Sequence, residues 1–434
     1  MGPTRIPIAQ SRCVQRMARA LPNAGEVVLR PLPYPYRALL AICSDLDETP
    51  DRRVYSEIMR FLNTTKITAM GLGVGLEVGN TIYFDMPPEQ FAYWNTDDLG
   101  REMVRNLMRS GHIDCLHSFG DLATTRDHAA RALDELSRHE CRLEVWVDHG
   151  VAPSNFGADI MAGCGDIPGH PVYHADLTCA FGIKYVWRGR VTSVTGQNVG
   201  PRLSGIFALR HPGASGRTLA KEAAKQCVSW CGDGKYSMHR PNRVLRADRL
   251  RNGQAVFEFL RCNPHWKGPG EGATASGLTE VLTSGFLDRL VRRGGVCVLY
   301  THLGKVRETQ VPFNKQTVAV LRRLADRYSR GDILVTTTRR ALGFCRAMQG
   351  ISLSTECVEG ETVVNVSTGD GAGGCASALA DSDFDGLTVY TPDPDRTRLR
   401  LNGKVLHTVI RNGPDHTGRS SVSLPWPRLE FPDL

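Results

Sequence analysis

Ala38-Leu39-Leu40-Ala41-Ile42-Cys43-Ser44-Asp45-Leu46-Asp47-Glu48-Thr49 is an apolar run that delivers two aspartates just before Pro50. A run this short and this apolar suits a strand buried on both faces, the central kind in parallel sheets. Asp45 and Asp47 then lie at the strand's carboxyl end, where α/β folds place their chemistry. The plainer alternative is a turn in which they cap the next helix, but similar placements downstream favour the strand-end reading.

Strand-like runs recur at 67–76, 112–121, 143–150, 183–187, 256–262, 296–304 and 333–337. Between them, helical spacing of apolar residues covers 54–62, 99–108, 125–140, 175–181, 278–293, 312–328 and 339–348. Strand and helix alternate at least seven times, with the crossover lengths that parallel strands demand. Such a chain is an α/β protein, either a (β/α) barrel or a doubly wound sheet. Polar residues at the ends of the first, third, fourth and seventh strands favour a (β/α)7–8 barrel, whose active site draws on many strands at one rim. From about residue 350, short alternating segments separated by Gly, Pro, Asp and Asn predict a small all-β domain, either a glycan-binding module or structural cover for the barrel. The expected organisation is a surface-lying lead-in over 1–37, a barrel over 38–349 with an insertion at 190–252, and the β domain over 350–434.

Hydrophobic content of 41% and charged content of 23% are ordinary for a soluble globular protein. No stretch is long and apolar enough to span a bilayer, and residues 1–37 lack a secretory apolar region, although Arg5, Arg12, Arg16 and Arg19 lie there. Thirteen cysteines without framework spacing point to reduced thiols and a cytoplasmic protein. Cys227 and Cys231 have no second pair to complete a zinc site. A net charge of +8 without a long basic run weighs against nucleic acid and suits a carbohydrate or other small anionic substrate.

Two segments are candidates for substrate contact. Residues 79–96 carry Tyr83, Phe84, Phe91, Tyr93 and Trp94, either lining a cleft or tucked under the core. The insertion 190–252 is rich in Gly and Arg, including Arg240, Arg243 and Arg246. It is either a solvated excursion or a lid whose arginines meet an anionic group.

The strand-end groups are Asp45, Asp47, His117, Asp121, Asp148, His149 and His302. Two carboxylates and an imidazole suit a divalent cation with open positions for water and substrate. Such a metal activates water and polarises a carbonyl oxygen. Hydrolysis also needs a base beside the water and an acid for the leaving group. One Asp of the first pair serves as base while the other holds the metal, and His302 is the acid.

Gly111-His112-Ile113-Asp114-Cys115-Leu116-His117-Ser118 has the G-H-x-x-x-x-H-[ST] spacing of the polysaccharide deacetylase (NodB-like) superfamily, which this chain resembles across roughly 38–348. Ser44-Asp45-Leu46-Asp47 stands where that family has its Asp-Asp motif. Val298-Leu299-Tyr300-Thr301-His302 resembles the late strand that delivers its catalytic His, and Asp332-Ile333-Leu334-Val335-Thr336-Thr337 the last strand before the closing helix. The resemblance implies Asp45 as base, Asp47 and His117 as metal ligands, and His302 as a catalytic residue. It implies a metal-dependent hydrolase, with zinc as the expected ion, that removes an N- or O-acyl group from a sugar or glycan precursor. Three departures stand out. Leu46 separates the aspartates, Asp121 replaces the second metal-binding His, and Asp148-His149-Gly150 stands where the family has its arginine motif. The third ligand is therefore Asp121 or His149, and Asp148 joins the catalytic candidates. Two other readings compete. In a haloacid-dehalogenase-like phosphatase, Asp45 of the D-x-D-x-T stretch would be the nucleophile and magnesium the cofactor, but the later lysine is missing. A non-catalytic glycan-binding relative would hold no tight metal.

Overall fold

The computed structural model describes residues 26–45, 48–150, 152–369 and 379–434. The opening apolar run forms β1 (Ala38–Ser44), and every residue in it is buried. Leu39, Ala41 and Cys43 enter one hydrophobic cluster, while Ala38, Leu40 and Ile42 enter another on the opposite face. The period-2 geometry of a strand thus explains an unbroken apolar run, because both faces are dry.

The same sheet continues with β2 (Gly79–Ile82), β3 (Ile113–His117), β4 (Val145–Val147), β5 (Tyr185–Trp187) and β6 (Val191–Thr192). It continues with β7 (Ala255–Phe259), β8 (Arg261–Cys262), β9 (Val296–Thr301) and β10 (Ile333–Thr336), and Leu245–Arg249 is added antiparallel at the edge beside β7. β1 to β5 run side by side in parallel, in chain order. β9 pairs with β1 along its length, and β10 with its first half. β7 lies beside β5, whereas β8, only Leu260 later, lies between β6 and β9. The result is a curled, largely parallel sheet with helices packed outside it.

Helices α1 (Arg52–Asn63), α2 (Asp98–Arg109), α3 (Arg126–Arg138) and α4 (Ala175–Phe181) connect the first strands. Asp51 caps α1 by accepting from the Arg53 and Val54 amides at 2.8 and 3.0 Å, which satisfies two orphan donors of the first turn. Further on come α5 (Pro212–Trp230), α6 (Leu278–Val281), α7 (Ser284–Arg293), α8 (Lys315–Ser329) and α9 (Thr338–Gly350). The expected helix over 278–293 is two, because Thr283 caps α7 through its hydroxyl.

One expected strand is misplaced. Residues 67–76 form a tiny antiparallel hairpin, Ile67–Thr68 with Gly71–Leu72, and the second parallel strand is β2, from the segment read as an aromatic loop. Gly71 adopts φ +87°, which makes the turn, and a side chain at Gly73 would collide with the Thr64 carbonyl.

The C-terminal region is all-β: one four-stranded sheet built on Ile351–Val358 and Glu361–Thr368, another on Thr388–Tyr390, Ile410–Asn412 and Ser421–Ser423. Its fourth strand is Val28–Leu29, which pairs antiparallel with Thr388–Tyr390. Residues 28–29 therefore belong to this domain rather than to a surface lead-in; residues 1–25 lie outside the described residues. Arg30, buried, locks the join through Asp415 at 2.9 Å and the carbonyls of Leu32 and Pro33.

The final segment returns to the large sheet. The Leu429 amide donates to Glu77 at 3.0 Å, and Glu77 is paired with Arg340 at 2.7 Å and with the Thr336 hydroxyl. Removing one partner of a buried pair leaves an uncompensated charge. Arg340→Met should therefore cost about 3–5 kcal/mol, read as a lowered urea midpoint with an unchanged slope. A loss below ~1 kcal/mol, the level of an exposed pair, would show that Glu77 does not depend on Arg340.

Candidate active site

The carboxyl ends of β1, β3, β4 and β9 open into a cleft of about 780 Å³. Asp45, His117, Asp148, His149, Tyr300 and His302 line its floor. Its mouth is built by residues 270–280 together with Lys305, Arg307, Asn314 and Gln316.

Asp45 follows the last residue of β1 and its amide donates to the Thr301 carbonyl at 2.8 Å, which ties it to β9. Its carboxylate is gripped by Arg261 of β8, Nη1 to Oδ2 at 2.7 Å and Nη2 to Oδ1 at 2.9 Å. Both side chains are buried. The Arg261 guanidinium lies over the Trp187 ring, 4.1 Å from its centroid, and Nη2 also reaches Cys43 Sγ at 3.0 Å. Burial alone would push the Asp45 carboxyl up. The charges of Arg261 and His117 outweigh it and hold the group well below the usual carboxylate range. Asp45 is therefore an ionised carboxylate at any working pH.

His117 ends β3 and points Nε2 to within 3.6 Å of Asp45 Oδ1. Its Nδ1 is 3.0 Å from the Val147 carbonyl, which can only accept, so Nδ1 carries a proton and Nε2 is the ring nitrogen turned to Asp45. Tyr83 stacks on this ring at 4.5 Å. The turn after His117 puts Ser118 at φ +49° and Phe119 at φ +62°, two successive left-handed residues with side chains, a costly conformation that aims the end of β3. His302 follows β9 by one residue; its Nε2 lies 3.9 Å from Asp45 Oδ2 and 3.4 Å from the Tyr300 hydroxyl.

His149 stands 5.0 Å from His117, ring to ring, and its Nδ1 is 2.9 Å from Asp121 Oδ1. Asp121 is thus the partner that orients His149. Asp148 is fully buried and accepts from Trp146 Nε1 at 2.7 Å and from the amides of Phe156 and Gly157 at 2.9 and 2.8 Å. Burial nevertheless pushes its carboxyl up to about 7.

Asp45, His117, Asp148, His149 and His302 thus gather in one cleft, and Asp121 joins them through His149. Asp47 lies outside the described residues. Among the described residues, no three His, Cys, Asp or Glu side chains form a group that could hold a metal ion. Trp94 is not part of the cleft lining; it packs against Phe84 and Tyr93 beneath Arg131. Arg240 lies over Trp230 on the surface and Arg243 is exposed, so neither lines the cleft. Nor does any other residue of 190–252, and the expected lid lies elsewhere. Several arginines there bind acids of the scaffold instead: Arg190 and Arg246 meet Glu258, and Arg251 meets Asp166.

Reading the sequence missed Arg261 and Trp187, and it named Tyr300 only as part of the run that delivers His302. Two left signals: Arg261 is a lone charge in the run Phe259-Leu260-Arg261-Cys262, and Tyr300 precedes His302 by two residues, hence on the same face of the strand.

Compared with known families, with curated proteins and with solved structures, the chain shows no significant match in any of the three.

Asp148 offers a pH test. Its folded pKa is raised from 3.8 to about 7, so between those values the folded state binds the extra proton and Asp148 favours folding less as pH rises. Asp148→Asn removes this dependence. The melting-temperature difference, native minus variant, should be largest near pH 4 and shrink toward pH 7. A constant difference would show that Asp148 stays ionised throughout.

Proposed function

We propose that the cleft is the active site of a metal-dependent hydrolase that removes an N- or O-acyl group from a sugar or glycan precursor. The observation that carries this reading is the Asp45 carboxylate, clamped by Arg261, with His117 and His302 facing its two oxygens at 3.6 and 3.9 Å. A curled parallel sheet with such groups at its carboxyl rim is the arrangement of a (β/α) barrel. We infer that the sheet closes with seven strands, 255–262 counting as one that borders β5 with its first half and β9 with its last. What supports closure is that only Leu260 separates the two halves.

The donor chemistry fits a cation. His117 Nε2 and a carboxylate oxygen of Asp45 face each other across 3.6 Å, a nitrogen and an oxygen of the kinds a divalent cation takes as ligands and neighbours. Both His117 and His149 give Nδ1 to an oxygen acceptor, the outer partner that fixes the tautomer of metal-binding imidazoles. His117 and His149 would hold the ion, Asp121 orienting the latter, and the resemblance assigns Asp47 as the third ligand. Zinc suits nitrogen and carboxylate donors in this number.

Arg261 keeps Asp45 ionised and so makes it a weak base. A bound divalent cation supplies what this lacks, because it acidifies water and polarises an acyl oxygen. Asp45 orients the attacking water and takes its proton, with Arg261 and the Thr301 carbonyl fixing the carboxylate in place. His302, across the carboxylate and beside the Tyr300 hydroxyl, gives a proton to the departing amine or alcohol. A phosphatase with Asp45 as nucleophile has less support: Arg261 engages both of its oxygens, and the surrounding imidazoles have no part in that chemistry.

The test is a panel of acetylated sugars and phosphate esters with metal content measured alongside. Asp45→Asn should keep the metal and lose deacetylation by roughly two to four orders of magnitude. His302→Ala should slow turnover at unchanged metal content, and His117→Ala should lower metal content. Full activity in both Asp45→Asn and His302→Ala would overturn the assignment, as would phosphate release inhibited by beryllium fluoride.

A further inference from the structure

Away from the cleft, the carboxyl-terminal half of α7 meets the segment 200–206. Arg289 and Arg293, one helical turn apart, donate to the carbonyls of Gly205 and Gly200 respectively. Those two carbonyls flank Arg202, which is exposed, and Arg292 lies beside them on α7. The close approach needs a glycine: a side chain at Gly205 would come within 2.9 Å of Arg289 Cδ. Four guanidinium groups are thereby collected at one place.

Among the described residues none of the four has a counter-ion. No carboxylate among the described residues makes a salt bridge with Arg202, Arg289, Arg292 or Arg293, and the one acid on this part of α7, Asp288, pairs with Arg327. Elsewhere the molecule pairs its crowded arginines, as Arg188, Arg190 and Arg246 around Glu258 show. Arg289 Nε and Arg293 Nη1 are buried and have no hydrogen-bond partner, which is costly for a charged donor. Burial and mutual repulsion lower the pKa of both groups. The end of a helix attracts cations in its last turn, which accounts for Arg292 and Arg293. It does not account for Arg289, a turn earlier, or for Arg202, which comes from another segment.

We propose that this cluster is a binding site for a diphosphate group, free or carried by a nucleotide. Guanidinium charges attract phosphate oxygens, and Arg289 and Arg293, one helical turn apart, stand about 5–6 Å from each other at their base, a spacing of charge suited to two adjacent oxyanions rather than one. Arg202 closes the set from the loop side. The site lies among residues none of which lines the cleft, and it is independent of the hydrolase reading.

The experiment is calorimetric titration of the full chain with inorganic pyrophosphate and, separately, with ADP, at constant ionic strength. Saturable binding of one equivalent is expected. Arg202→Ser should weaken it at least tenfold, as should Arg293→Gln, which keeps a donor for the Gly200 carbonyl. Arg307→Ser, at the cleft mouth, should leave it unchanged. The Arg202 side chain is exposed and makes no hydrogen bond among the described residues, so its variant should melt like the native chain and decides the matter even if Arg293→Gln folds poorly. Binding of ADP with the same losses assigns a nucleotide source, and binding of pyrophosphate alone assigns the free ion; both uphold the site. No saturable binding of either, binding that survives Arg202→Ser, or binding lost in Arg307→Ser would overturn it.

Discussion

The bidentate contact between Arg261 and Asp45 is the constraint around which the large sheet is arranged. It joins the end of β1 to β8, strands separated by more than two hundred residues of chain. A buried ion pair is seldom the most stable choice for its position, since apolar residues of similar volume serve as well or better. Once one partner is present, however, losing the other strands a charge in a dry interior. The scaffold invests further in this pair: Trp187 lies against the guanidinium, and Nη2 also reaches Cys43 Sγ. An arrangement that is expensive for stability and aimed into a cleft supports the proposed catalytic role of Asp45 over a packing role.

A second charge network explains why the insertion does not cover that cleft. Glu258, fully buried on β7, collects Arg188, Arg190 and Arg246. These contacts draw the segment 190–252 down along the side of the sheet, and its strand Leu245–Arg249 pairs antiparallel with β7. The mouth is left to residues 270–280 and 305–316, where Lys305 pairs with Glu48 and His265 with Glu280. The density of arginine in the insertion is real, but most of those on its inner side answer to carboxylates of the scaffold.

These two networks mark the boundary of what the sequence discloses. Alternation of strand and helix was legible because most strands are buried on both faces and most helices on one, so each element carries its own period. The strand ends were legible for the same reason, and Asp45, His117, His149 and His302 line one cleft. β2 was not: Gly79-Asn80-Thr81-Ile82 has neither an apolar run nor alternation, and its neighbours Gly71, Gly73 and Gly75 imitate a strand while making a turn and close approaches. Trp94 failed as a cleft residue because aromatic content does not say which side of a loop faces the core. Arg261 was visible only as a charge where none should be, and its partner, so far away in sequence, is decided by the curl of the sheet rather than by any local pattern.

The same curl separates two roles that a list of strand-end residues confounds. Asp148 lies at the rim, yet its oxygens are taken by Trp146 and by the Phe156 and Gly157 amides, with no contact among these that reaches a substrate. What it does is close the loop 148–157, and Asn155 closes it a second time by accepting from the His149 amide at 2.9 Å. That loop carries His149, whose ring is then turned by Asp121. Asp148 is accordingly a positioning residue, and its elevated pKa follows from the dryness of the loop it holds. Ionisation there places a charge in that dry loop, so a pH above about 7, rather than acid, is what loosens His149. The pH sensitivity of this site would therefore begin in its supporting loop, while Asp45, pinned by Arg261, stays charged.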